Sequence, residues 1–256
     1  MDIYRLIDLY KTIIEEFKPF EGEMLTQTKD YYRSALTWSS NALEGNTLTE
    51  AETKVLLENG LTPGGKRIRD VLEAVGHAEA YDFMFTLLNS RTITEGAILV
   101  LHQMFYEYIE RQYAGRYRDI NVFISGSRYP LAKPERIQEE MDGLFQWIAA
   151  ERGQLHPVAF AAQLHKRFIF IHPFKDGNGR IARLIMNAAL IQDRHLLAVI
   201  PPILRHEYID LLERAHRDDK PFEQFIAERV IESQKEVMRL LHIQIPKPDS
   251  GMGMQF

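Results

Sequence analysis

The 256-residue chain has no cysteine, which excludes disulfides and thiolate metal sites. A reducing compartment such as the cytoplasm is the expected location. Positive charge is not in excess: the formal net charge is −5, which argues against a large nucleic-acid footprint. No apolar run is long enough to span a bilayer, and the run over residues 97–106 falls well short, so no membrane association is expected. Asp2, Arg5 and Asp8 interrupt the first turns, which argues against a signal peptide. There is no internal repeat and no low-complexity block. What is left is an ordinary globular composition, 45% hydrophobic and 26% charged, long enough for one domain or two small ones.

Hydrophobic spacing predicts helices almost throughout. Ile3, Leu6, Ile7, Tyr10, Ile13, Ile14 and Phe17 mark an opening amphipathic helix that ends before Pro19. A second helix is expected over residues 26–43, with Gly45 placed to cap its end. Thr49-Glu50-Ala51-Glu52 reads as a capping box for a third helix, stopped by Asn59-Gly60. A fourth runs through Val71, Leu72, Val75, Ala78 and Phe85. Thr92-Ile93-Thr94-Glu95 reads as another capping box, opening a helix with Ile98, Leu101, His102 and Phe105. Between Tyr113 and Pro134 the period changes. Ile120, Val122 and Ile124 alternate with polar residues before Ser125-Gly126-Ser127, which predicts a β-hairpin. Helical spacing returns after Pro134 and continues to Leu241. The fold expected is all-α with one short hairpin.

Residues 172–183 carry the chemistry. They read His172-Pro173-Phe174-Lys175-Asp176-Gly177-Asn178-Gly179-Arg180-Ile181-Ala182-Arg183. Pro173 ends one helix, and Leu184, Ile185, Ala188 and Ile191 start another near Asn178. Gly177 and Gly179 let the backbone turn sharply and aim N–H groups at one point. A helix N-terminus follows at once, which makes an anion site. Arg180 and Arg183 project from the same side of its first turn. Two cations at a positive dipole end are misplaced unless a polyanion binds there. Asp176 is a hard oxygen ligand suited to a hydrated Mg²⁺. His172 can act as a base near neutral pH. Phe174 reads as an anchor in the core and Lys175 as a solvated charge. No Gly-Lys-Ser/Thr follows the glycines, so a P-loop is excluded. The other histidines show no metal-ligand pairing and read as core or surface.

The stretch matches, without a gap, the pattern His-x-Phe-x-(Asp/Glu)-Gly-Asn-Gly-Arg-x-x-Arg, and the chain resembles the Fic-domain proteins. The resemblance implies a Fic fold over residues 92–245; the helices before it form an N-terminal region over 1–91, and residues 246–256, rich in Pro, Gly and Ser, read as a disordered tail. The resemblance also implies a nucleotidyltransferase that moves AMP from Mg²⁺-ATP to a Ser, Thr or Tyr hydroxyl of a target protein. His172 would be the base and Asp176 the metal ligand. Gly177, Asn178 and Gly179 would hold the α-phosphate, and Arg180 and Arg183 the β- and γ-phosphates. The hairpin over residues 120–128 would be a flap on which the target docks, with Ser125, Gly126, Ser127 and Arg128 nearest the nucleotide. Tyr208 matches a position that contacts adenosine.

A second segment, Ser40-Asn41-Ala42-Leu43-Glu44-Gly45-Asn46, fits the inhibitory-helix pattern of the family. Glu44 sits at a helix C-terminus and Arg183 at a helix N-terminus, each misplaced against a dipole. If they meet, a charge-assisted and possibly bidentate bond resolves both conflicts. The resemblance then implies self-inhibition by Ser40 and Glu44. It also allows self-modification and a homodimer. Within the family the alternatives are removal of AMP or transfer of UMP or another phosphoryl-type group; outside it, a helical binding protein with a vestigial site.

Overall fold

The computed structural model describes residues 2–90, 92–124 and 127–246. Ten α-helices follow in order: α1 Ile3–Phe17, α2 Gly22–Ala42, α3 Glu50–Asn59, α4 Ile68–Thr86, α5 Glu95–Glu110, α6 Ile137–Glu151, α7 Pro157–Ile171, α8 Asn178–Gln192, α9 Arg205–Arg214 and α10 Lys220–Leu240. No helix among the described residues is long and apolar enough to cross a membrane.

Local signals fix several helix ends. The Thr49–Glu52 capping box forms, and Gly60 closes α3 in the left-handed region. The box expected at Thr92–Glu95 does not form. Thr94 is the cap instead, its side chain accepting from the Ala97 N–H, and Glu95 is the first helical residue. At the end of α2 the Asn46 N–H donates to Asn41 O and the Gly45 N–H to Ala42 O. With Gly45 at φ 89° this is a Schellman closure, in which glycine takes the left-handed position at no steric cost.

Helix α8 is the centre of the molecule. Every residue of it except Gly179 is buried, as expected for a helix covered on all sides. It packs on α7, α4, α2 and α5. One continuous core runs from Ile7 on α1 to Met238 on α10 and includes Phe105, Phe168, Phe174, Ile181 and Leu190. Helices α4 and α5 approach closely at Gly76, where any Cβ would overlap the Phe105 carbonyl.

The hairpin expectation is corrected. Among the described residues there is no strand, and residues 120–124 and 127–128 form an irregular loop. Ser125 and Gly126 lie outside the described residues. The reason is burial: Phe123 is 93% exposed, and Ile120 and Ile124 are exposed too. A two-stranded ribbon with no covered face is marginal in water. The loop is tied down by a side chain instead. Arg118, itself buried, donates from Nε to His172 O (2.9 Å), from Nη1 to Ile120 O (2.9 Å) and from Nη2 to Ala132 O (2.6 Å). Residues 247–256, the greater part of the expected tail, also lie outside the described residues.

Candidate active site

Helix α7 ends at His172, which adopts the left-handed conformation (φ 53°) while its N–H closes the last turn on Phe168 O. Pro173 cannot continue the helix. Phe174 then plunges into the core with no exposed surface, and its backbone is clasped by Asn178. The Phe174 N–H donates to Asn178 Oδ1 (2.9 Å), and Asn178 Nδ2 donates to Phe174 O (2.8 Å). The side chain of Asn178, expected on a phosphate, closes the loop through these two bonds. Gly177 has φ 81°, and a Cβ there would strike the Phe105 ring.

His102, read from sequence as core, is built into the same loop. The Gly115 N–H donates to its Nδ1 (2.9 Å) and its Nε2 lies 3.1 Å from Asp176 O. The first bond puts the ring proton on Nε2, so the second is a donation to Asp176 O. Lys175 is not a free solvated charge: its Nζ reaches both Glu110 oxygens at 2.9 and 3.0 Å and lies 3.7 Å from the Tyr113 ring centre.

Arg183 meets Glu44. Its Nη2 lies 2.8 Å from Glu44 Oε1, a one-point rather than a bidentate contact. The same nitrogen donates to Ser40 O (2.8 Å), Nε to Ser40 Oγ (2.9 Å) and Nη1 to the Tyr208 hydroxyl (3.3 Å). Glu44 also lies directly over Gly179, where an added Cβ would collide with its carboxylate. A carboxylate thus already occupies the mouth of α8. Burial opposes its ionisation, but Arg183 and then Arg180 outweigh this and hold the carboxyl below its ordinary range.

Arg180 pairs with Glu73 (3.3 Å) and Asp176 (3.2 Å), its guanidinium 4.5 Å from the Phe105 ring centre. Asp176 accepts on Oδ1 from its neighbour Gly177 N–H (2.6 Å) and on Oδ2 from Arg69 Nη2 (2.6 Å). Burial disfavours its charge, yet Arg180, the Gly177 N–H and Arg69 keep it ionised. Arg69 and Glu73, one turn apart on α4, were not singled out from sequence. Nothing in an ordinary i,i+4 pair signals a partner a hundred residues away.

The His172 ring borders a cavity of about 220 Å³ lined also by Glu44, Gly179, Ser127, Arg205 and Tyr208. Burial lowers its pKa to about 4, with Arg118 adding to the effect, so the imidazole is neutral at pH 7. A backbone hydrogen bond at Ile169 opposes the shift. Tyr208 is at this site as expected, but through its hydroxyl, which links Arg183 to His165 Nε2 (2.9 Å). Ser127 reaches the cavity. Arg128 does not line it, and its backbone N–H donates to Glu213 (3.3 Å). The expected Ser125 and Gly126 contacts fall outside the described residues.

Far from this site, Asp8, His156 and His195 bring ligand atoms within 4.8 Å of one another. His156 Nδ1 accepts from the Val158 N–H (3.2 Å) to cap α7. That leaves the proton on Nε2, facing Asp8 Oδ1 at 3.2 Å.

A family model described as the Fic/DOC family matches residues 92–190, a span that contains the whole loop described above. The similarity to the Fic/DOC family lies in this segment. It is 36% identical over 208 residues to the protein adenylyltransferase Fic of Nematostella vectensis, covering 77% of this chain and 47% of that protein. With the protein adenylyltransferase Fic of Culex quinquefasciatus it shares 34% over 195 residues, 75% of this chain and 39% of that one. The chain thus spans less than half the length of these curated relatives. Among solved structures, a Fic domain containing signaling protein from Bacteroides thetaiotaomicron superposes with a TM-score of 0.84 at 28% identity, covering 94% of this chain and all of that one. Fic-1 from C. elegans gives 0.83 at 26%, covering 94% and 73%.

Proposed function

We propose that this chain transfers AMP from ATP to a Ser, Thr or Tyr hydroxyl of a target protein, and that Glu44 holds it in a self-inhibited state. The observation that carries the reading is the Glu44 carboxylate resting on Gly179 and Arg183 at the N-terminus of α8. An anion is bound there already, where backbone N–H groups and two arginines would receive a polyphosphate. The names of the curated relatives support the same chemistry.

In the reaction, neutral His172 accepts the proton of the target hydroxyl. The oxygen bonds to the α-phosphorus as the bond to the bridging oxygen breaks, and pyrophosphate leaves. A positioned base of this kind contributes about 10²–10⁴-fold. The N–H groups at Asn178 and Gly179 offset charge on the α-phosphate, while the Gly177 N–H stays on Asp176. Arg180 and Arg183 receive the β- and γ-phosphates once Glu73 and Glu44 yield. The donor set at Asp176 fits Mg²⁺: one ionised, partly exposed carboxylate suits a cation that keeps waters and takes its other oxygens from phosphates. Bound there, the ion would neutralise the leaving pyrophosphate. The loop over residues 120–124 and 127–128, whose Ile124 and Ser127 line the cavity, suits an extended target segment that supplies the strand partner it lacks.

The test is intact-protein mass after incubation with Mg²⁺-ATP, for wild type, Glu44→Gly and Glu44→Gly/His172→Ala, alone and with candidate target proteins. AMP added by Glu44→Gly and lost in the double variant is the expected result. Binding of Mg²⁺-ATP without transfer to any protein would overturn the transferase reading.

A further inference from the structure

Three charged side chains of the loop and the first turns of α8, Arg183, Arg180 and Asp176, are each matched by an opposite charge from the N-terminal helices. Glu44, just past α2, takes Arg183; Glu73 on α4 takes Arg180; Arg69 on α4 takes Asp176. The third pair is the least expected. Glu73 needs no further cation, because Arg180 and Asn46 Nδ2 (3.0 Å) already satisfy it. Yet Arg69 spans from Glu73 Oε1 (3.1 Å) to Asp176 Oδ2 (2.6 Å).

The two oxygens of Asp176 are not equivalent. Oδ1 is turned inward to the Gly177 N–H and Arg180. Oδ2 has a single partner, and that partner is Arg69. Any cation approaching Asp176 meets the guanidinium on the oxygen that would receive it. We infer that Arg69 competes with the divalent cation for Asp176, so that α4 keeps the metal ligand occupied until a cation displaces it. This rests on the assignment of Asp176 as metal ligand made above, but not on adenylyl transfer.

The arrangement is reversible by construction. The side chains of Arg69 and Asp176 are 52% and 38% exposed, and exposed pairs of this kind separate easily. The bond to Glu73 keeps the displaced guanidinium nearby. Arg69 therefore lowers the affinity for the bare ion without closing the site to it.

The experiment is Mn²⁺ binding without nucleotide, followed by the electron paramagnetic resonance signal of the free ion at low ionic strength. It compares wild type, Arg69→Gln, Arg69→Glu, Asp176→Asn and Arg69→Gln/Asp176→Asn. Arg69→Gln is expected to tighten binding about two- to fivefold, the fold-change equivalent of such a pair. Arg69→Glu, which adds a carboxylate, should tighten it further, and both gains should shrink in 0.5 M salt as screening grows (roughly a Debye length of a few ångströms). Asp176→Asn must abolish the gain. Equal Mn²⁺ affinity in wild type and Arg69→Gln, or a gain that survives Asp176→Asn, overturns the inference. Because no nucleotide or target is present, a failure here and a failure of the transfer reaction are separate results.

Discussion

The imidazole of His102 lies flat on the ring of Phe174, with centroids 3.7 Å apart and 2° between the planes. One histidine thus packs the loop's anchor, caps the Gly115 N–H and donates to Asp176 O. His102→Phe keeps the stack and the volume but leaves a buried donor and acceptor unpaired. Each such group costs about 1–3 kcal/mol, so urea unfolding should show a loss of about 2–4 kcal/mol. A loss under 0.5 kcal/mol would mean the two bonds are ornamental.

Glu44→Gly should trade stability for activity. The variant frees Arg183 for phosphate and also strands a buried guanidinium without its carboxylate. Removing one partner of a fully buried pair costs about 3–5 kcal/mol. The Glu44 side chain is 35% exposed, and Arg183 keeps Ser40 and Tyr208, so about 1–2 kcal/mol is expected here. Mg²⁺-ATP should raise the melting temperature of the variant more than that of wild type, since ligand binding to the folded state stabilises by mass action. Equal shifts would argue against competition between Glu44 and nucleotide.

Arg118 should control the loop over residues 120–132. Arg118→Lys keeps the charge but loses the planar fork that reaches three carbonyls at once. Limited proteolysis should cut that variant between residues 119 and 132 at least tenfold faster than wild type, with the helices intact by circular dichroism. Unchanged cleavage would place the restraint elsewhere.

Acid should destabilise the chain well above the carboxylate range. His77, His165 and His195 are each pushed down to about 3 and His102 to about 4, in every case chiefly by burial. In the unfolded chain they protonate near 6.5. Folded pKa values are the lower ones, so between about 4 and 6.5 the unfolded state binds more protons and stability rises with pH. The contribution is complete above about 6.5 and is lost on acidification, by up to about 1.4 kcal/mol per pH unit for each histidine. The urea midpoint should stay level from pH 7.5 to about 6.5 and fall from there to pH 5, and His195→Asn should flatten the fall by about one proton. A level profile over that range contradicts these four burials.

The parts of the site that were legible in the sequence were those with a local conflict. Gly177 and Gly179 before a helix, arginines at a positive dipole end and a glutamate at a negative one each pointed to an absent partner. Glu44 and Arg183 proved to be each other's partner in space. The Gly45 closure and the Thr49–Glu52 box were legible because caps are decided within one turn. Arg118, His102 and the Arg69–Glu73 pair were not. Their partners lie 54, 74 and 107 residues away in the case of His172, Asp176 and Asp176 again, and only packing brings them together. The hairpin was misjudged for the converse reason: Ile120, Val122 and Ile124 alternate correctly, but among the described residues Ile120 and Ile124 stay exposed.

The Schellman closure of α2 has a further consequence. Around Glu44 the main chain is pinned on both sides. Arg205 Nε donates to Leu43 O (2.7 Å), and Asn46 Nδ2 donates to Asp70 O (2.9 Å) and Glu73. The carboxylate can leave Arg183 only by rotating its own side-chain bonds, a motion of picoseconds to nanoseconds once the ion pair opens. On the proposed reading, the glutamate is a tethered competitor at fixed local concentration. The apparent dissociation constant of any anion that needs Arg183 equals its intrinsic value divided by the fraction of time Glu44 is turned away.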